Sequence, residues 1–366
     1  MSKRTPLYEE HLKLNAKIVE FGGWDMPVQY TNVMDEHHCT RSKVGLFDIC
    51  HMGEFELKGK GVLGFLQKVL TNDISKLEAG RCMYSCMCYE DGGVVDDLFV
   101  YKMEDKYMLV VNAGNIKKDF EWFNNHKDDI TIINKSDEIA KLDLQGPLAQ
   151  KVLKKIGLKE LPERFAFDNF IMNGVDCMIS RTGYTAEDGF EIYFDAKHVV
   201  KLWNLLLEQG KEFGIQPIGL GARDTLRIEA CYSLYGHEIN EKISPIEAGI
   251  GFCVKVNKNN FIGKDILKKQ KEDGVKRKLV CLDMVDRGIP REHYRVYSGE
   301  KEIGFITSGT FSPTFKKPIA MALLNKEFTD LDTEVEIIIR DKKYKAMVVK
   351  RPFYKFNGGG IDGKSK

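Results

Sequence analysis

Residues 89–101 read Tyr89-Glu-Asp-Gly-Gly-Val-Val-Asp-Asp-Leu-Phe-Val-Tyr101. Glu90-Asp91-Gly92-Gly93 is a turn signal, and the run after it, 94–102, has the composition of a strand. Alternation puts Val94, Asp96, Leu98 and Val100 on one face and Val95, Asp97, Phe99 and Tyr101 on the other. Each face is apolar except for one carboxylate, the pattern of a strand covered on both sides. A buried carboxylate is costly unless it is paired or hydrogen-bonded, so at least one of Asp96 and Asp97 requires a specific partner. The partner is either structural, an ion pair or turn cap near the strand start, or part of a site. Periodicity does not choose between the two.

Outward from this strand, residues 53–134 sort into one order. Strands over 54–57, 81–89, 94–102, 107–111 and 129–134 are interrupted by helices over 62–70 and 116–126, giving βαβββαβ. A related alternation follows. A strand over 141–144 leads to Pro147, expected at the first helical position before 148–153. The runs 167–172 and 175–181 flank Asn173-Gly174, the strongest hairpin signal in the chain. A strand over 190–194 and a helix over 199–213 complete the unit. The charge run 268–278 reads as a solvated connector. Beyond it, six strand-like runs over 279–285, 294–297, 302–308, 318–324, 334–339 and 344–349 predict a small barrel or sandwich. The class is therefore α+β. The tail 357–366 has no apolar anchor and is expected to fray.

Composition limits the function. The chain has 366 residues, 43% of them hydrophobic and 30% charged, enough for two or three packed domains. Lys+Arg is 55 against Asp+Glu 54, a balance that argues against nucleic-acid binding through an overall basic field. No apolar run approaches the roughly 18 residues of a membrane span, and the N-terminal segment fits neither a secretory signal nor a transit peptide. These features predict a soluble, cytoplasmic protein without membrane or nucleic-acid partners. Nine cysteines, an odd number, read as reduced thiols. Cys82, Cys86 and Cys88 cluster on one strand face but lack metal-ligand spacing, so they are expected to be core residues and no metal is expected.

Two further stretches bear on chemistry. In Ser180-Arg-Thr-Gly-Tyr-Thr-Ala-Glu-Asp-Gly-Phe-Glu-Ile-Tyr-Phe194, Glu191 is in phase with Tyr193 and Asp195. A carboxylate beside aromatic rings suits a flat heterocycle offering two adjacent N–H donors; an exposed strand glutamate is the plainer alternative. In Ile218-Gly-Leu-Gly-Ala-Arg-Asp-Thr-Leu-Arg-Ile-Glu229, Gly219 and Gly221 resemble the start of a dinucleotide fingerprint. Asp224 occupies the third glycine position and no clear strand precedes the run, so a nucleotide is not expected. On a helix starting near Ala222, Arg223 and Arg227 share a face, able to hold a carboxylate ligand or to pair with Asp224 and Glu229. No nucleophile elbow, zinc spacing or Walker A loop is present.

These motifs have a common order. Thr5-Pro6-Leu7-Tyr8, Gly23-Trp24-x-Met26-Pro27, Phe47-Asp48-Ile49-Cys50-His51-Met52 and Thr71-Asn72-Asp73 are followed by Gly92-Gly93-Val94-Val95-Asp96-Asp97-Leu98. Then come Leu144-Gln145-Gly146-Pro147, Arg181-Thr182-Gly183-Tyr184-Thr185, Gly219-Leu220-Gly221-Ala222-Arg223-Asp224, Leu234-Tyr235-Gly236 and Thr307-Ser308-Gly309-Thr310-Phe311-Ser312-Pro313. Over almost its whole length the chain resembles the T protein of the glycine cleavage system, the folate-dependent aminomethyltransferase.

The resemblance implies a three-lobed cloverleaf, two α/β lobes (ferredoxin-like or Greek-key) and a C-terminal β-barrel around a central folate channel. It implies a discontinuous folate-binding domain of residues 1–52 and 139–275, an inserted domain of 53–138 carrying Asp97, and a barrel of 276–366. The reaction implied moves an aminomethyl group from the lipoyl arm of H protein to tetrahydrofolate as co-substrate. The products are 5,10-methylenetetrahydrofolate, ammonia and the dihydrolipoyl arm. The family's key carboxylate matches Asp97, and the acid that reads the pterin N–H edge matches Glu191. Tyr84, Tyr101, Asn112, Tyr184, Arg223 and Tyr232 match positions lining the folate site. One departure is Ala186, where the family's loop has glycine; if that position needs φ > 0, alanine is strained there. Folate-dependent demethylases and non-catalytic folate-binding proteins of the same fold are the alternatives.

Overall fold

The computed structural model describes residues 2–356; the tail expected to fray, 357–366, lies outside them. The described residues form two compact units, one of 2–51, 136–230 and 354–356, the other of 52–135 and 231–353.

The first unit is built on a six-stranded sheet. In spatial order its strands are Phe167–Met172, Val175–Ser180, Gly189–Asp195, Ile139–Gln145, Gly45–Asp48 and Gln216–Ile218, antiparallel except for the last pair. Asn173 and Gly174 join the first two with φ of +49° and +75°, as a two-residue primed turn demands. The helix Val199–Gly210 covers one face because Val199, Leu202, Trp203 and Leu206 recur at helical spacing and are buried with Leu142, Leu144 and Ile192. Its last expected turn, Lys211–Phe213, is a separate 3-10 turn. The helix after Pro147 begins at Ala149 with Leu148 as N-cap, so Pro147 lies just outside it. A small sheet of Lys3–Arg4, Trp24–Gln29 and Lys17–Phe21 precedes these elements.

A strand does precede Gly219, contrary to the sequence reading: Gln216–Ile218 runs parallel to Gly45–Asp48. It is three residues long and contains a proline, too little for a periodic signal. A Cβ at Gly219 would lie 2.4 Å from the Val28 carbonyl, so this glycine serves close packing at the start of the helix Leu220–Ala230.

The second unit holds the βαβββαβ segment in the expected order. Its antiparallel sheet runs Arg81–Cys88, Val94–Lys102, Tyr107–Val111, Gly53–Lys58, Thr131–Asn134, with Val62–Val69 and Ile116–His126 packed on it. The six C-terminal strands, Arg277–Met284 through Lys342–Val349, close into a barrel. The first part of the charge run is not a connector. Lys264–Asp273 is a helix in which Asp265, Lys268, Lys269 and Glu272 are exposed while Leu267 is fully buried. All nine cysteines lie among the described residues, buried and without disulfides.

One buried lysine joins distant parts of this unit. Lys258 Nζ donates to the backbone carbonyls of Gln67, Leu70 and Asn72 at 2.9, 2.5 and 2.7 Å and to Gln67 Oε1 at 3.1 Å. It thus caps the C-terminal end of Val62–Val69, where carbonyls lack helical partners and the dipole favours a cation. Lys258→Met keeps the apolar stem but leaves these acceptors unpaired. The expected loss is about 2–3 kcal/mol, read as a lower denaturant midpoint with an unchanged slope; an unchanged midpoint would refute the cap.

Candidate functional site

Each unit carries a cluster of polar side chains that includes residues singled out in the sequence. In the second unit the cluster is built on Val94–Lys102. A Cβ at Gly93 would sit 1.9 Å from the Glu241 carbonyl oxygen, so the chain passes this loop only as glycine. Val94 N–H then donates to the Asn240 carbonyl at 2.8 Å. Pairing with Arg81–Cys88 joins Met87 to Asp96 and Cys88 to Val94, leaving Val95 as an extra residue. This bulge immediately precedes the two aspartates and sets where they point. Asp96 shares a face with Leu98 and Val100, whose side chains join the core beneath the helices, and is fully buried. Asp97 shares the opposite face with Phe99, and both are half-buried. That face is more open than the sequence pattern suggested.

Both aspartates have partners. Tyr84 Oη donates to Asp97 Oδ2 at 2.9 Å. Asn112 Nδ2 donates to Asp97 Oδ1 and to Asp96 Oδ1, each at 2.8 Å, so one amide bridges the two carboxylates. Asp96 also accepts from the Asn112 backbone N–H at 3.2 Å and from Asn115 Nδ2 at 2.8 Å. Removal from water, and then the charge of Asp96, push the Asp97 carboxyl up to about 7 against the opposing pull of Tyr84 and Asn112. Burial, with Asp97 beside it, raises the Tyr84 hydroxyl well above its ordinary value. The Tyr84 ring stacks on Phe252 at 6.0 Å, and Phe252 is 65% exposed. Tyr101 is fully buried and reaches this group through Phe99, 6.4 Å between ring centres. Tyr232 follows Cys231 and is partly exposed.

The first unit gathers Tyr184, Glu191 and Arg223. Glu191 lies directly across from Asp143 on neighbouring strands. It is buried, not the exposed strand glutamate of the plainer reading. Its Oε2 accepts from Thr182 Oγ1 at 2.7 Å and from Tyr193 Oη at 3.1 Å, while Oε1 lies 3.5 Å from Lys141 Nζ. Burial alone would raise its pKa, yet Lys141, Thr182, Arg223 and Tyr193 together hold it below the usual value. Asp143 differs. Burial raises it to about 7 although Arg223 Nη1 donates to its Oδ2 at 2.9 Å. Gln145 Nε2 donates to the other oxygen at 2.6 Å. The Arg223 guanidinium lies 4.9 Å from the Tyr184 ring centre, and Arg227 pairs with Asp224. This arrangement offers a fixed carboxylate, two cations and aromatic edges, suited to a planar heterocycle with N–H donors.

Sequence reasoning gave no role to Lys141, Asp143, Gln145, Thr182 or Asn115, and read Tyr193 only as sharing a strand face with Glu191. A signal existed for three of them. Within Ile139–Gln145 the polar residues Lys141, Asp143 and Gln145 alternate with apolar ones, and all three are buried.

The chain matches the model of the GCVT N-terminal domain over residues 7–258 and that of the glycine cleavage T-protein C-terminal barrel domain over 277–355. It is 56% identical to an aminomethyltransferase of Geobacillus sp. (strain WCH70), over 97% of this chain and 99% of the other. Identity to the aminomethyltransferase of Anoxybacillus flavithermus is 54%, with the same coverage. The crystal structure of the glycine cleavage system aminomethyltransferase T from Bartonella henselae superposes with a TM-score of 0.90 at 34% identity, covering 97% of this chain and 99% of that one.

Ala186, in the loop before Glu191, has φ +60°. The left-handed region costs a non-glycine residue about 1–2 kcal/mol, partly offset because glycine is freer when unfolded. Ala186→Gly is therefore expected to stabilise the protein by about 0.5–1 kcal/mol, read as a raised unfolding midpoint. A lowered midpoint would show that the loop is relaxed as it stands.

Proposed function

The chain belongs to the glycine cleavage T-protein family and is an aminomethyltransferase of the glycine cleavage system, and from that premise we propose which of its groups carry the reaction. The one-carbon donor is the aminomethyl-lipoyl arm of H protein, and the acceptor is tetrahydrofolate. Asp97 carries the chemistry. As a carboxylate it accepts a hydrogen bond from the attacking amine of the folate and holds that nitrogen in line. Its charge stabilises the cation that develops as ammonia is lost. Tyr84 and Asn112 fix the two oxygens of Asp97 beforehand, so little reorganisation accompanies the reaction.

The observation that carries this reading is the state of Asp97. It is half-buried on an open face, anchored at both oxygens, and poised at about 7. A group placed there changes its charge within the working pH range, as an acid–base or charge-stabilising residue requires.

Glu191 reads the pterin edge. Two hydroxyls satisfy Oε2, and Lys141 and Arg223 keep the group ionised. Arg223, held by Asp143, and Tyr184 beneath it form a rigid wall for the flat ring. Tyr101 and Tyr232 complete the set of folate-site positions. Thr182 and Tyr193 both donate to Oε2, so an amide at that position keeps them only by turning its NH2 toward the Lys141 ammonium, and in the other orientation it loses both.

Asp97→Asn is expected to leave tetrahydrofolate affinity nearly unchanged and to lower turnover about 100- to 1000-fold, measured as ammonia release with aminomethyl-loaded H protein. In the wild type the rate should rise with pH through about 7, because the carboxylate is the active form. Unchanged turnover in the variant would remove Asp97 from the mechanism. For Glu191→Gln the loss falls on binding: about 1–3 kcal/mol, or roughly 5- to 150-fold weaker folate affinity. Equal affinity by calorimetry would contradict the pterin assignment.

A further inference from the structure

Beneath the strand that carries Asp97 lies a third carboxyl group that the reaction does not use. Asp119, in the first turn of Ile116–His126, is fully buried. Neither of its oxygens meets a hydrogen-bond donor among the described residues. The group facing them is the Asp96 carboxyl. Asp96 itself is supplied with donors by Asn112 and Asn115, so Asp119 is the only member of the set left without one. The adjacent cation, Lys118, is turned away: its Nζ donates to the Val95 carbonyl at 2.6 Å and to Tyr235 Oη at 2.9 Å. Two carboxylates in contact, without a donor between them, cannot both be ionised; one must keep a proton and give it to the other as a hydrogen bond.

We propose that Asp119 is a positioning residue that stays protonated, donates its acid hydrogen to Asp96, and by holding the Asp96 carboxyl in place beside the Asn112 amide sets the charge state of Asp97. The chain of contacts has three links. Asp119 supplies Asp96 with its third side-chain donor, beside Asn112 and Asn115. Asp96, held in place, shares the Asn112 amide with Asp97. The Asp96 charge then opposes ionisation of Asp97. The groups facing this set come from every packed element: Asp97 and Asp96 on Val94–Lys102, Tyr84 on Arg81–Cys88, Lys118 on Ile116–His126, and Tyr89, Tyr235 and Glu241 on the flanking loops. Lys118 is the only cation among them, and burial lowers its pKa. Burial and the charge of Asp96 both raise Asp119, to about 11, in agreement with a carboxyl that holds its proton through neutral pH.

The proposal rests on Asp97 as the reactive carboxylate, and two measurements keep the two claims separable. The first is infrared difference spectroscopy of the intact protein at pH 8, wild type against Asp119→Asn. A carbonyl stretch of a protonated carboxylic acid, present in the wild type and absent from the variant, is expected whatever Asp97 does. Its absence from the wild type would overturn the proposal. The second is the pH dependence of ammonia release in Asp119→Asn and Asp119→Leu. The amide still offers Asp96 an N–H donor, so the acid limb of Asp119→Asn should stay in place. Leucine offers none, so the Asp96 carboxyl is no longer held in place beside the Asn112 amide, its charge acts less directly on Asp97, and the acid limb of Asp119→Leu should move to lower pH by about one unit. Limbs that stay put in both variants, or move together in both, would show Asp119 to be a structural residue only.

Discussion

Two carboxylates on consecutive residues of one strand cannot both be buried and ionised without help, and the arrangement around Asp96 and Asp97 follows from that constraint. The strand places them on opposite faces. A single amide, Asn112, reaches both, because it stands directly past the end of Tyr107–Val111, two residues beyond the Val110 that pairs with Phe99. Its two N–H groups are used on the two carboxylates, and its own backbone N–H steadies Asp96. The result is a graded set. Asp96 is buried with three donor contacts, Asp97 is half-buried with two, and Asp97 is the one left at a pKa near neutrality.

The local fold serves this set. The bulge at Val95 and the glycine-only passage at Gly93 fix the phase of the strand immediately before the aspartates. A one-residue slip would exchange the faces of Asp96 and Asp97 and place the wrong carboxylate under the helices. In the other unit the same problem of buried charge is solved by a row of alternating polar residues. Lys141, Asp143 and Gln145 neutralise and orient one another beside Glu191 and Arg223. Each ionised group there has an opposite charge or a neutral donor against it, which is what allows Glu191 to remain a carboxylate in a buried place.

Much of this was legible in the sequence. The βαβββαβ order came from turn signals and helical spacing, and the six C-terminal strands from regular turns; all appear in the structure. The Asn173-Gly174 hairpin was readable because only a few residues tolerate positive φ in succession. Where reading failed, the cause was the weakness of local signals. Gln216–Ile218 is too short to show a period, and the helix Lys264–Asp273 buries little beyond Leu267, so it reads as a solvated charge run. Around the aspartates, the sequence required a partner without naming one. Asn112 and Tyr84 were assigned through family resemblance, whereas the bridging geometry and the third carboxyl, Asp119, depend on strand register and helix placement that no linear pattern encodes. Glu191 was recognised as a candidate, but its burial depended on neighbours contributed by another strand.

The central claim is that Asp97 is held near neutrality and meets the folate amine. The most direct test is a carboxyl-selective carbon-13 NMR titration of Asp97 in the wild-type protein, with and without tetrahydrofolate. The account predicts a midpoint near 7 in the free protein and a lower one once the amine is bound, because a donor to the carboxylate favours its charged form. A midpoint in the ordinary carboxylate range that does not respond to tetrahydrofolate would contradict it.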